Sequence, residues 1–308
     1  MYIKRRRIEP RFLRSDGKPN FSNRIYEVEH ELKIIAKRPV ITASQRAPIR
    51  EAVKLMLSNG FRRLPITMPD KTLIGIITST DLVNYFGGGD YFKIIDEKHY
   101  GNLYAAMEEP LESIMNRNVI KAYIYEDLTS VLEKMVLNNI GAIPIVTEDD
   151  KVFGIITERD ILRHLSAKIT GRSVEEVMTR NVITAHPEET IREAAQTMIN
   201  LGFRRLPVLE DDIIAGIIVC MDIIRIFDYK NALKYSPKGS VYDLLRVPIK
   251  EIMTKNVITI KPNVDLGEAA KVMMNKGIGA LPVVENGRLI GIITERDLLY
   301  DIVLESYR

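Results

Sequence analysis

The chain of 308 residues has very little sulfur or imidazole chemistry to offer. It contains one cysteine, Cys220, and four scattered histidines, His30, His99, His164 and His186. A disulfide framework is excluded, and no metal site is expected because nothing stands at metal-ligand spacing. Long apolar runs are missing too. The longest, Ile213–Met221, spans nine residues, against about 20 for a membrane-crossing helix, so no membrane segment is expected. Residues 4–7 are Lys-Arg-Arg-Arg with no apolar stretch behind them, which is not a secretory leader. Cys220 lies inside an apolar run, as a packing residue does in a reducing cytoplasm. The net charge of +3 is too small to mark a nucleic-acid binder by itself. Gly87-Gly88-Gly89 lacks the Gly-Lys-Ser/Thr of a phosphate loop, so it reads as a helix stop and joint.

What the chain has in abundance is repetition. GIITERD stands at 154–160 and again at 291–297, with GIITSTD at 75–81 and GIIVCMD at 216–222. Upstream of each lies a strand-like run before a proline: FRRLPIT, IGAIPIV, FRRLPVL and IGALPVV. Upstream again come PVIT (39–42), NVIK (118–121), NVIT (181–184) and NVIT (256–259). The glycines Gly75, Gly154, Gly216 and Gly291 are 79, 62 and 75 residues apart. Repeats 1 and 3 share GFRRLP, and repeats 2 and 4 share TERD, so a pair of repeats has been duplicated once.

Each repeat spells strand, helix, strand, strand, helix. In repeat 1, PVIT is a short β-branched run. Ile49, Ala52, Val53 and Met56 follow at helical spacing, and Gly60 stands where the helix stops. Arg62–Thr67 and Leu73–Ile77 read as strands joined at Asp70-Lys71, and Thr78 opens a second helix. About 50 residues cannot bury such an apolar face alone, so the repeats are expected to pair.

Two constellations carry the candidate chemistry. T-x-x-D recurs at Thr78/Asp81, Thr157/Asp160 and Thr294/Asp297, and repeat 3 has Val219/Asp222. Threonine followed three residues later by an acid is a capping box, but boxes usually take Glu or Gln at that place. Asp222 also persists where its capping threonine is gone. A short carboxylate at a helix start suits a diol such as ribose, and the hydroxyl and free N–H groups beside it suit a phosphate. The second constellation is Arg62-Arg63 and Arg204-Arg205, where alternation sends one arginine of each pair to each strand face. Two such charges ~4 Å apart repel by about 4 kcal/mol at an effective dielectric near 20. Four gathered near one axis call for an anion, unless they pair with glutamates. No nucleophile–base pair or other catalytic constellation stands out.

The V-I-T run, the R-x-L-P or G-A-x-P strand and G-I-I-T-x-x-D together resemble cystathionine β-synthase (CBS) domains over about residues 37–302. The four-repeat arrangement, with GFRRLP and FGGGDYFKIIDEKHYGN, resembles archaeal four-CBS proteins. Those are similar to the γ regulatory subunit of AMP-activated protein kinase. The resemblance implies an α/β fold of four β-α-β-β-α repeats, paired into two modules of a disc-like pseudo-symmetric assembly. The repeats would occupy 37–86, 114–166, 177–227 and 252–304. A basic tail and helix (1–36), a linker helix (87–113) and a second linker (228–251) would make up most of the rest. It also implies that Asp81, Asp160, Asp222 and Asp297 hold ribose. Thr78, Thr157 and Thr294, with Arg62, Arg63, Arg204 and Arg205, would serve phosphates, and Val40, Val119, Val182 and Val257 would line adenine. Repeats 2 and 4 depart by having Gly141-Ala142 and Gly279-Ala280 in place of the arginines, and Val219 departs in repeat 3.

The expectation is a non-catalytic, cytoplasmic regulatory protein that binds AMP, ADP or ATP and signals energy state by a shape change to a protein target. No catalytic cofactor is expected. Two alternatives stay open: a nucleic-acid binder acting through basic residues 4–14 under nucleotide control, and a sensor of an adenosyl ligand such as S-adenosylmethionine. A homodimer is open as well. Inosine monophosphate dehydrogenase is rejected, because four repeats leave no room for a barrel of ~250 residues.

Overall fold

The computed structural model describes residues 13–21, 31–165 and 171–304. Residues 4–12 of the basic tail and 22–30 of the expected first helix lie outside the described residues. The remainder of that helix is α1, Glu31–Ile35.

Repeat 1 runs α2 (Ile49–Asn59), β1 (Arg63–Thr67), β2 (Leu73–Thr78) and α3 (Ser79–Phe86), and α4 (Leu103–Met107) follows in the linker. Repeat 2 comprises β3 (Ala122–Tyr123), α5 (Leu128–Leu137), β4 (Ala142–Val146), β5 (Val152–Thr157) and α6 (Glu158–His164). Repeat 3 has α7 (Ile191–Leu201), β6 (Arg205–Glu210), β7 (Ile213–Val219) and α8 (Cys220–Phe227), with α9 (Tyr229–Tyr235) and α10 (Val241–Leu245) behind it. Repeat 4 closes with α11 (Leu266–Lys276), β8 (Ala280–Glu285), β9 (Arg288–Thr294) and α12 (Glu295–Val303).

The local causes are those of the sequence pattern. α2 buries Ile49, Ala52, Val53 and Met56 and stops at Gly60, whose φ of 67° lets its N–H reach the Met56 carbonyl. Each repeat then folds an antiparallel hairpin with one bulge, as between Ile66 and Thr67. No helix among the described residues is long and apolar enough to cross a membrane.

The V-I-T runs differ from expectation, because none is a strand itself, and only in repeat 2 does a strand, two residues long, follow directly after it. Elsewhere the run leads to a single parallel bridge, Ala43 with Ile66, Ala185 with Val208 and Ile260 with Val283. The reason is that the chain is crossing between sheets. Lys37 bonds Ile155 on β5, whereas Ala43 bonds Pro65 and Thr67 on β1, and the residues between have no continuous ladder. In repeats 3 and 4 the run bends, with the Val182 and Val257 N–H groups bonded two residues back to Arg180 and Lys255.

The chain forms two compact units, divided at those crossings. One takes residues 41–119 and 183–257, the other 120–182 and 258 onward together with the segment that ends at Val40. Repeats 1 and 3 therefore share one core, and repeats 2 and 4 the other. Like packs on like, as in an isologous contact between duplicated modules. In the first unit α3 and α8 meet through Phe86 and Phe227, stacked at 4.5 Å with 14° between the rings. In the second, Ile161 and Leu162 of α6 share a core with Leu298, Leu299 and Ile302 of α12. Reciprocal ion pairs, Arg159 with Glu295 and Arg296 with Glu158, flank that core.

Sequence neighbours exchange their leading segments. Asn116, at the start of repeat 2, bridges Ile76 of repeat 1, while Lys37, at the start of repeat 1, bridges Ile155 of repeat 2. Thr179 with Ile292 and Thr254 with Ile217 repeat the arrangement in the second half. This exchange explains the glycine of G-I-I. A Cβ on Gly75 would lie 2.8 Å from Met115 Sδ, and on Gly216 2.5 Å from Met253 Sδ, so the incoming segment leaves no room for one.

Candidate functional site

Each hairpin ends at the T-x-x-D motif, and its register decides what stands beside it. Arg63 lies opposite Thr78 across β1 and β2. Directly opposed residues project to one face, so an arginine and the threonine share that face. Arg205 opposes Val219 in the same way. In repeats 2 and 4 the opposing residues are Ala142 and Ala280. Arg62 and Arg204 stand one residue earlier and receive the Ser79 and Cys220 N–H groups on their carbonyls at 2.9 and 3.0 Å. All four arginines belong to one unit, and none stands free in the structure.

The helix starts are built alike. Asp81 Oδ2 accepts the Thr78 N–H and Oγ1–H, both at 2.7 Å. Asp160 Oδ2 accepts the Thr157 N–H at 3.0 Å and hydroxyl at 2.5 Å, and Asp297 Oδ2 accepts both Thr294 groups at 2.8 Å. The threonine hydroxyl spends its one proton on the carboxylate in this state, so it must turn to serve a phosphate. Val219 offers only its N–H to Asp222, at 3.0 Å. Capping thus consumes one carboxylate oxygen and leaves Oδ1.

What meets Oδ1 differs among repeats. Arg225 holds that of Asp222 at 3.1 Å, and the Lys37 ammonium lies 3.2 Å from that of Asp160. No cation among the described residues is paired with Asp81. Burial pushes the Asp81 carboxyl above its ordinary value, and the Thr78 hydrogen bonds offset this only in part. Burial likewise raises Asp222, against the pull of the Val219 N–H and Arg225.

The crossing segments complete each site with residues that the motif search missed. Asn116 exchanges both backbone hydrogen bonds with Ile76 at 3.0 Å, two residues before Thr78. Lys37, Thr179 and Thr254 occupy the same place beside Asp160, Asp297 and Asp222. The signal was present, because I-M-N-R-N-V at 114–119 returns as V-M-T-R-N-V at 177–182 and I-M-T-K-N-V at 252–257. The valines expected to line adenine are all half-buried. The structure groups Val119 with Asp81, Val40 with Asp160, Val257 with Asp222 and Val182 with Asp297, so each shares a unit with its neighbour's aspartate. No group of three or more His, Cys, Asp or Glu among the described residues could hold a metal ion.

Four units of one pattern, each ending in this capped aspartate, match the CBS domain at residues 30–88, 111–167, 174–229 and 249–304. The chain belongs to the CBS-domain family. It is 39% identical over 271 residues to the uncharacterized protein MJ1225 of Methanocaldococcus jannaschii, covering 87% of this chain and 97% of that one. The crystal structure of MJ1225, described as that of a candidate archaeal homologue of g-AMPK, aligns with a TM-score of 0.84 at 37% identity over 89% of this chain and 99% of that one. A 33.4 kDa protein in the ribosomal RNA operon of Thermofilum pendens is 29% identical over 269 residues, 87% of this chain and 90% of that protein. An inosine-5′-monophosphate dehydrogenase of Korarchaeum cryptofilum is 35% identical over 135 residues, 44% of this chain but 25% of the enzyme. Its likeness to this chain is confined to the extent of a CBS pair.

Proposed function

We propose that this CBS protein is a non-catalytic regulator that binds adenine nucleotides, AMP, ADP or ATP, and passes the cell's energy state to a protein target. The observation that carries the reading is the register of repeat 1. A half-buried carboxylate with one oxygen to spare, a helix N-terminus and an arginine stand together at the end of one hairpin. A ribose diol donates to the carboxylate, and the helix start and guanidinium receive phosphate. On this reading Asp81, Asp160, Asp222 and Asp297 hold ribose. Thr78, Thr157 and Thr294 face phosphate with Arg62, Arg63, Arg204 and Arg205, and the four valines flank the base. The description of MJ1225 supports a regulatory role, and the limited overlap with the dehydrogenase supports the absence of that activity.

Thermal unfolding tests it. Ligand at a hundred times its dissociation constant stabilises by about 2.7 kcal/mol per site, and each kcal/mol moves a domain of 150–250 residues by roughly 2–4 °C. AMP, ADP or ATP should raise Tm by several degrees and adenosine by less. No shift with any adenine nucleotide at millimolar concentration refutes the reading.

A further inference from the structure

The four sites share a backbone and differ in charge. Opposite the motif threonine position, repeats 1 and 3 carry Arg63 and Arg205, while repeats 2 and 4 carry Ala142 and Ala280. At the crossing position the residues are Asn116, Thr254 and Thr179 for repeats 1, 3 and 4, but Lys37 for repeat 2. The arginines next to the two motif aspartates of that unit, Arg159 before Asp160 and Arg296 before Asp297, do not fill the gap, because they are held by Glu295 and Glu158.

Lys37 is rooted and yet able to swing. Its backbone exchanges hydrogen bonds with Ile155 at 2.9 and 3.3 Å. Ala36 packs where Gly154 lacks a side chain, and the Arg38 guanidinium lies 4.7 Å from the Phe153 ring centroid. The Lys37 side chain is 55% exposed, whereas the Asp160 side chain it touches is 4% exposed.

Building on the ribose role proposed for Asp160, we infer that Lys37 determines specificity in repeat 2, making that site select 5′-phosphorylated nucleosides over unphosphorylated ones. A ribose hydroxyl that donates to Asp160 Oδ1 takes the oxygen now held by the ammonium. The 5′-phosphate lies one sugar ring from that diol, within the sweep of the lysine's flexible four-carbon stem. A nucleotide releases Lys37 from one anion and gives it another. A bare nucleoside leaves it with none. Lys37 thus supplies the positive charge that Arg63 supplies in repeat 1.

The test uses the full chain with Asp81, Asp222 and Asp297 each changed to Asn, so that Asp160 is the one motif aspartate, and compares AMP with adenosine by calorimetry. Lys37→Asn in that background should cut the preference for AMP about tenfold, leave adenosine as tight or tighter, and flatten the salt dependence of AMP binding; Lys37→Arg should keep the preference. If the Asp160 chain binds both ligands and Lys37→Asn weakens both equally or neither, the ribose role stands and the inference about Lys37 is overturned. If it binds neither, and Asp160→Asn in the native chain leaves AMP binding unchanged, the ribose role itself fails and Lys37 with it. Should the triple background not fold, Lys37→Asn in the native chain gives the answer. One AMP site should weaken with the adenosine titration unaltered, and an unaltered AMP titration overturns the inference.

Discussion

Val219 is a natural deletion of one hydroxyl, and restoring it measures what that hydroxyl does. The backbone is ready for threonine, since φ and ψ are −124° and 161° at Val219 and −116° and 164° at Thr78. In Val219→Thr the new Oγ1 should donate to Asp222 Oδ2 and accept the Asp222 N–H, as Thr78 does with Asp81 at 2.7 and 3.4 Å. A threonine cap contributes ~1 kcal/mol. Against it stands the loss of one half-buried methyl, some fraction of the ~0.8 kcal/mol of a fully buried group. The net gain is about 0.5 kcal/mol, or roughly 1–2 °C in Tm. Thr78→Val should lose a similar amount, because it makes the reverse exchange. Differential scanning calorimetry of both variants without ligand checks the pair. A second readout is binding, where a better-oriented Asp222 should tighten the proposed nucleotide site of repeat 3 by up to about tenfold. If Val219→Thr is less stable than the parent and its binding is unmoved, the hydroxyl has no place in this repeat and the four helix starts are not equivalent in build.

Other perturbations test the packing and the linker. Gly216→Ala puts a Cβ 2.5 Å from Met253 Sδ and 3.0 Å from the Thr254 carbonyl, so it should lower stability by about 1–3 kcal/mol. It should cost more than Gly75→Ala, where those distances are 2.8 and 3.3 Å, and equal melting temperatures for the two would contradict the close-approach account. Glu109, buried in the first linker, accepts from Lys98 at 2.8 Å, His99 at 2.7 Å and Ser113 at 2.5 Å. Burial raises its carboxyl, but those three partners outweigh it and hold the group below its ordinary value. A depressed carboxylate adds stability above its unfolded pKa and loses it as pH falls through the folded one. Glu109→Gln should therefore melt lower than the parent at pH 7, with the gap closing below about pH 4.3, and a gap independent of pH would assign Glu109 a neutral role.

Much of the fold was legible because each repeat obeys local rules. The helix over Ile49–Asn59, the hairpin and the capped start at Thr78 follow from spacing, a left-handed glycine and a capping box. The V-I-T runs misled because β-branched composition reports extended backbone and says nothing of a partner strand. They cross without a continuous ladder, and in repeats 3 and 4 they bend. The core grouping of repeat 1 with repeat 3 was not read either, although shared GFRRLP and shared TERD pointed to it. Repeats that pack as like pairs keep like interfaces, stacked Phe86 and Phe227 in one unit and reciprocal arginine–glutamate pairs in the other. The aspartates were found by their persistence at Asp222. Lys37 was not, because its distance in sequence from Asp160 hides a contact made by the exchange of segments.

The structure also bears on why the motif ends in aspartate. Glutamate closes a capping box with a longer, freer side chain, as Glu193 does for Thr190 on α7. The shorter aspartate reaches the cap with Oδ2 and has fewer torsions through which Oδ1 can wander. Preorganisation of that kind has a cost. Burial raises the carboxyls of Asp81 and Asp222, so the empty fold holds their protons more tightly than the unfolded chain does. Their contribution to stability is then greatest below the unfolded pKa and is lost as pH rises through the folded one. At neutral pH each site carries a carboxylate whose donors offset its burial only in part, and on the proposed reading a ribose diol would add to them. On that reading ligand binding relieves what folding left uncompensated, so the residues that make the site receptive are the same ones through which the protein would gain stability from its ligand.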